Sequence, residues 1–156
     1  MTLNGLVQGC IPVMSYNFGA KNEERLNLAF RYGNIIGIIL TGVSIAVLWL
    51  FPSQVLTIFN ASPAMLSFGV LALRIMCISY VFASIATMVA SLMQSTKRVG
   101  FSLLINVLRQ LGLLLPFMWI LSGIFGMDGI WYAFIAAEVI TAAISWILYR
   151  KYPVKF

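Results

Sequence analysis

The chain has 156 residues, 62% hydrophobic and 9% charged, whereas a soluble domain carries about a quarter charged residues. Lipid is therefore its solvent, and a water-soluble globular fold is excluded. The formal net charge of +6 sits in short clusters between apolar runs and not over one solvated face, which argues against nucleic acid as a partner. The absence of His removes the imidazole relay and the commonest metal ligand.

Residues 2–18 read as an apolar helix with polar punctuation that begins abruptly, either a short span or the remnant of a longer, truncated one. The N-terminus has no positive region and no cleavage pattern, so it is not a signal peptide. At about 100° per residue, Asn4, Gln8, Pro12, Ser15 and Gly19 project within about 80° of one another. Such a stripe must face protein or water, because lipid leaves its hydrogen-bonding groups unmet. Pro12 also removes a backbone bond in mid-helix. Two readings stand: a bent helix lining a cavity, or a polar packing seam with a tolerated proline.

Residues 22–31 predict a cytoplasmic interfacial helix. Asn22 is its cap, Glu23 and Glu24 meet the positive end of the dipole, and Leu26, Ala29 and Phe30 form an apolar side for the membrane surface. Four long apolar stretches then follow, at residues 33–51, 75–93, 101–125 and 130–149. Each approaches or exceeds the roughly 20 residues that cross a hydrocarbon core. Gly33, Gly37 and Thr41 on the first, and Ser79, Ala83, Ala86 and Ala90 on the second, are small-residue stripes suited to close helix packing. Ser62 followed by Pro63 starts the second of these helices well before its apolar core. Arg74 then lies near the outer interface, where it snorkels. Cys10 and Cys77 fall inside apolar runs without framework spacing and read as small buried hydrophobes, not as a disulfide or a metal site.

Basic residues alternate between connections. Lys21, Arg25 and Arg31 lie in the first, Lys97 and Arg98 in the third, and Arg150, Lys151 and Lys155 in the tail, while the second and fourth connections have none. These three faces are therefore cytoplasmic, and so is the C-terminus. Trp49, Phe51, Trp119, Trp131 and Tyr132 mark the outer boundary, and Tyr32, Tyr149 and Tyr152 the inner one.

Two charges lie inside the spans. Arg109 is about nine residues beyond the start of its span on one side and Glu138 about nine beyond the start of its span on the other, which sets each about 13 Å deep. A short turn around residues 123–129 joins their helices, so the two side chains can meet as an intramembrane ion pair. Ser102, Asn106 and Gln110 share the Arg109 face, and Ser145 that of Glu138. A static pair pinning the hairpin is the simpler account, and proton coupling through Glu138 is the other. No phosphate-cradling glycine loop, nucleophile and base, or acid/base dyad is present, so the chain does not read as an enzyme.

The run that contains Gln8, Gly9, Pro12, Ser15, Tyr16, Asn17, Gly19, Ala20 and Lys21 resembles the Q-G-x-x-P-x-x-S-Y-N-x-G-A-K motif in the second lobe of multidrug and toxic compound extrusion (MATE) transporters. Arg109-Gln110 with Pro116, the run from Phe125 to Ala133, and Leu73-Arg74-Ile75 are similar to later helices of bacterial members. The resemblance covers essentially the whole chain. It implies an all-α integral membrane protein of four complete transmembrane helices plus a truncated first helix, a partial C-terminal bundle running from the end of the eighth helix through the twelfth of a twelve-helix, two-lobe transporter. It also implies multidrug efflux by secondary antiport, in which cationic or amphiphilic compounds leave across the cytoplasmic membrane in exchange for Na+ or H+. No cofactor is implied beyond that transported ion, and the partners are small-molecule substrates, membrane lipid and the missing N-terminal lobe. Asn4, Gln8, Pro12 and Ser15 would border the central cavity, with Asn106, Arg109 and Glu138 as polar groups buried between helices. The tenth helix carries no Asp or Glu, so a second-lobe cation site has no carboxylate there. A polysaccharide-lipid flippase of the related export group is an alternative that predicts a more cationic cavity. A non-transporting membrane scaffold subunit is another.

Overall fold

The computed structural model describes residues 2–60 and 62–154, and Lys155 of the basic tail lies outside them. Every regular element among the described residues is a helix: α1 (Thr2–Gly19), α2 (Glu23–Leu50), α3 (Pro52–Ile58), α4 (Pro63–Ser95), α5 (Val99–Val107), a π-helical segment (Leu108–Leu114), α6 (Leu115–Phe125) and α7 (Met127–Lys151). Four helices are long and apolar enough to cross a bilayer: α2, α4, the continuous run from Val99 to Phe125, and α7, with apolar stretches of 25 to 28 residues. At about 1.5 Å per residue each exceeds a core about 30 Å thick.

The helix starts are local chemistry. Asn22 Oδ1 accepts the Arg25 amide at 3.0 Å, and Ser62 Oγ accepts the Met65 amide at 3.3 Å, so each cap satisfies a donor that the first turn leaves free. The stops at one end of the bundle share another device. After α1 the Asn22 amide bonds back to Asn17 O at 2.9 Å, and after α4 the Arg98 amide bonds back to Met93 O at 2.8 Å. In each turn a lysine takes the left-handed position, Lys21 at φ 52° and Lys97 at φ 62°, a place usually held by Gly. The Asn-Phe-Gly-Ala-Lys-Asn portion of the first motif is thus turn chemistry that reverses the chain.

α4 is the axis of the bundle, and α1, α2, α5 and α7 all pack on it. Ser79, Ala83, Ala86 and Ala90 are buried as their stripe requires. Gly33 of α2 lies so close to α4 that an added Cβ would stand 2.5 Å from Met88 Cε. Val7, Met14, Leu26, Phe30, Met88 and Leu92 belong to the core cluster. α7 turns Gly129, Ala133, Ala137, Thr141 and Ser145 inward, one small residue every fourth position, all buried. Two threonine hydroxyls on these faces donate to their own helices, Thr41 to Gly37 O at 2.6 Å and Thr141 to Ala137 O at 2.7 Å, which keeps these donors from being stranded in lipid.

Three features depart from the sequence reading. Residues 22–31 do not form a separate interfacial helix, because α2 continues without a break from Glu23 to Leu50. Leu26 and Phe30, taken above as a lipid-facing side, are buried in the bundle core, and that packing carries the helix straight into the span. A short helix, α3, occupies the second connection, where Pro52 supplies the first helical position. The third span is interrupted by the π-helical segment, just before Pro116, whose missing N–H cannot bond to the carbonyl four residues earlier.

Candidate functional site

Arg109 stands between two cavities, one of which reaches Asn4 on the polar face of α1 and the other Glu138 on α7. Val7, Met14 and Asn17 are buried on one side of α1, whereas Asn4, Gln8, Gly9, Pro12 and Gly19 are exposed and Ser15 is half-buried. Most of the stripe is therefore left uncovered by α2 and α4, and Asn4 opens onto a cavity that those two helices line. Tyr16 of the motif is 76% exposed, while Asn17 is tied down by donating to Val13 O at 2.8 Å. Ala20 and Lys21 belong to the turn.

Arg109 and Glu138 are brought together. Arg109 Nε stands 3.2 Å from Glu138 Oε1, and the two side chains are 25% and 12% exposed. The guanidinium also donates from Nη1 to Thr87 Oγ1 at 3.0 Å, and Thr87 in turn donates to Ala83 O at 2.6 Å. One arginine from the π segment thus links α4 to α7. Thr87 was not singled out from sequence. Its signal is only that it lies four residues past Ala83 on the buried stripe, on a helix whose rotation the sequence does not specify.

Two cavities of about 340 Å³ flank Arg109. The first is lined by Asn4 of α1, Thr41 and Ser44 of α2, and Tyr80 and Thr87 of α4, with Arg109 closing it. The second lies between the π segment and α7, with Gln110, Phe134 and Glu138 on its walls. Glu138 Oε2 is buried and has no hydrogen-bond partner among the described residues, and the same holds for Ser145 Oγ. The first carboxylate oxygen is held by Arg109, and the second is free to accept a proton or a cation.

Asn106 does not join this group. It is exposed and donates to Ser102 O at 2.9 Å on its own helix, and Gln110 is also exposed. The resemblance implied that Asn106 is buried between helices, and here it lies on the exposed side of α5. Arg74 lies at the far end of the bundle with its guanidinium 5.6 Å from the Trp49 ring centroid. Trp49 Nε1 donates to Arg74 O at 3.2 Å, an interfacial anchor whose own side chains line neither cavity.

Comparison with known proteins bears on this arrangement. The MatE family profile matches residues 1–120. The Multidrug export protein MepA of Staphylococcus saprophyticus is 22% identical over 142 residues, which is 91% of this chain and 31% of that protein. Among solved structures, an outward-facing multidrug resistance MATE family transporter superposes with a TM-score of 0.89 at 22% identity, over 96% of this chain and 34% of its own. The MATE multidrug transporter DinF-BH gives a TM-score of 0.89 at 29% identity, over 97% of this chain and 34% of its own. The chain therefore spans about a third of the length of the relatives it matches. These relatives are transporters and not enzymes. With a family profile matched across more than half its length and a bundle that overlays solved transporters, this multi-pass membrane chain belongs to the MatE family.

Proposed function

We propose that this chain is part of a secondary active antiporter that exports cationic or amphiphilic compounds in exchange for Na+ or H+, working together with a first lobe. The observation that carries the reading is the polar face of α1, which leaves Gln8 and Pro12 exposed, Ser15 half-buried and Asn4 on the wall of the cavity beside Arg109. A second lobe docked there would enclose them as one wall of a pathway. Alternating access then rocks this bundle, as a unit braced by α4, against its partner.

The Thr87, Arg109 and Glu138 chain braces the bundle next to that wall. Glu138 is the group through which an ion can couple, since its Oε2 is buried and free while Oε1 is paired. A flippase for lipid-linked sugars would be expected to present a strongly cationic cavity. Here the arginine at the cavity wall is neutralised by its partner, which favours the multidrug reading. The basic turns support a location in the cytoplasmic membrane with the C-terminus inside.

Complementation tests this reading. The chain is expressed in an efflux-deficient bacterial strain with and without a supplied first lobe, and extrusion of a cationic dye is measured. Extrusion is expected only with both lobes. Extrusion by the chain alone would overturn the need for a partner, and none with either combination would overturn the exporter reading.

A further inference from the structure

On the side of the bundle away from α1, a groove of about 960 Å³ separates α2 from α7. The backbones of these helices approach nowhere within 8 Å among the described residues, and α4 forms the floor with Phe82 and Ile85. Ala142 and Ala143 of α7 keep the gap wide. Ile35 and Ile38 line the opposite wall, and both are more than 40% exposed. The groove runs along α7 from Val139 to Tyr149, about 15 Å at the rise of a helix, close to half of a hydrocarbon core about 30 Å thick.

Its mouth has a different chemistry from its depth. Arg31, Asn27 and Asn34 line the opening, with Trp146 and Tyr149 across from them. Arg150 lies over the Trp146 ring, 5.7 Å from the centroid, and so adds a second guanidinium at the same level. Arg31 makes no ion pair or hydrogen bond among the described residues, since Arg109–Glu138 accounts for the ion pairing there. An apolar slot one leaflet deep, capped by an unpaired arginine beside an aromatic pair, is complementary to one kind of molecule.

We propose that this groove is a binding site for an anionic phospholipid of the leaflet at the Arg31 end, with one acyl chain between α2 and α7 and the phosphate on Arg31 and Arg150. Basic pockets between helices at a membrane boundary suit such headgroups. The site is separate from the transport pathway proposed above, because it faces the opposite side of α4 from the Arg109 cavities. The bound lipid would fill a gap where α4 lacks a helix over it and would couple α2 to α7.

Trp146 reports on the site directly. In a variant carrying Trp49→Phe, Trp119→Phe and Trp131→Phe, Trp146 fluorescence is followed in phosphatidylcholine vesicles doped with brominated-chain phosphatidylglycerol or brominated-chain phosphatidylcholine. The anionic lipid is expected to quench with about fivefold preference. Arg31→Gln should remove that preference, and Ala143→Phe, which fills the groove, should reduce quenching by the anionic lipid to the level of the neutral one. Arg25→Gln, an exposed charge outside the groove, should leave the preference unchanged. Equal quenching by both lipids, no quenching by either, or equal effects of Arg25→Gln and Arg31→Gln would overturn the proposal. Circular dichroism and gel filtration of each variant separate these outcomes from misfolding.

Discussion

At the scale of single residues, the intramembrane pair was legible because depth is arithmetic: about nine residues from opposite boundaries bring Arg109 and Glu138 to one level. Its completion by Thr87 was not, because that depends on how α4 is rotated against the π segment. Removing one partner strands a mostly buried charge, so Arg109→Leu or Glu138→Leu alone is expected to cost about 3 kcal/mol. The double substitution should cost clearly less than the sum of the two. Thermal unfolding of the three variants in one detergent checks this, and simple additivity would show that the 3.2 Å contact contributes nothing. The turn lysines give a prediction of opposite sign. Lys97 is held at φ 62°, where a side chain costs about 1 kcal/mol relative to Gly. Lys97→Gly should therefore stabilise the protein by about 0.5 to 1 kcal/mol, read as a raised melting temperature.

Elements differ in how much of them a pattern can show. The four spans follow from length and apolarity, and their caps from Asn22, Ser62 and Pro63. The π segment could not be read from periodicity, although Gly112 and Pro116 mark its place. Glycines on two helices look alike in sequence and differ in what they face. An added Cβ at Gly33 would meet Met88 Cε, the movable tip of a flexible side chain, whereas one at Gly129 would overlap the backbone carbonyl of Leu121. Gly33→Ala should thus cost under about 1 kcal/mol and Gly129→Ala about 3 kcal/mol, because only the first neighbour can move aside. Parallel melts of the two variants test the ranking. Gly126, at φ 62° and ψ −139°, is the other fixed point of that hairpin, since this backbone region is essentially restricted to Gly.

For the molecule as a whole, up-and-down topology gathers the basic turns at one end. Arg98 closes that end by donating to Tyr152 O at 2.6 Å and to Pro153 O at 3.0 Å, which locks the third connection to the tail. Orientation in the membrane can be tested in a variant with Cys10→Ala and Cys77→Ala. A cysteine placed at Lys97 should resist a membrane-impermeant maleimide in intact cells and react after permeabilisation. One placed at Gln54, exposed on α3, should react in intact cells. The reverse pattern would invert the assignment from loop charge.

The sequence by itself determined the solvent, the number of long spans, the alternation of charged ends and the pairing of the two embedded charges, because hydropathy, chain length and helix rise are local quantities that add along the chain. Tertiary structure decided the rest. Whether Leu26 and Phe30 meet lipid or protein, which face of α1 stays open, that Thr87 holds Arg109, and that α2 and α7 stand apart over α4 all depend on how helices rotate and tilt against one another. That is settled by the mutual fit of side chains far apart in the chain, and no periodicity within one helix contains it.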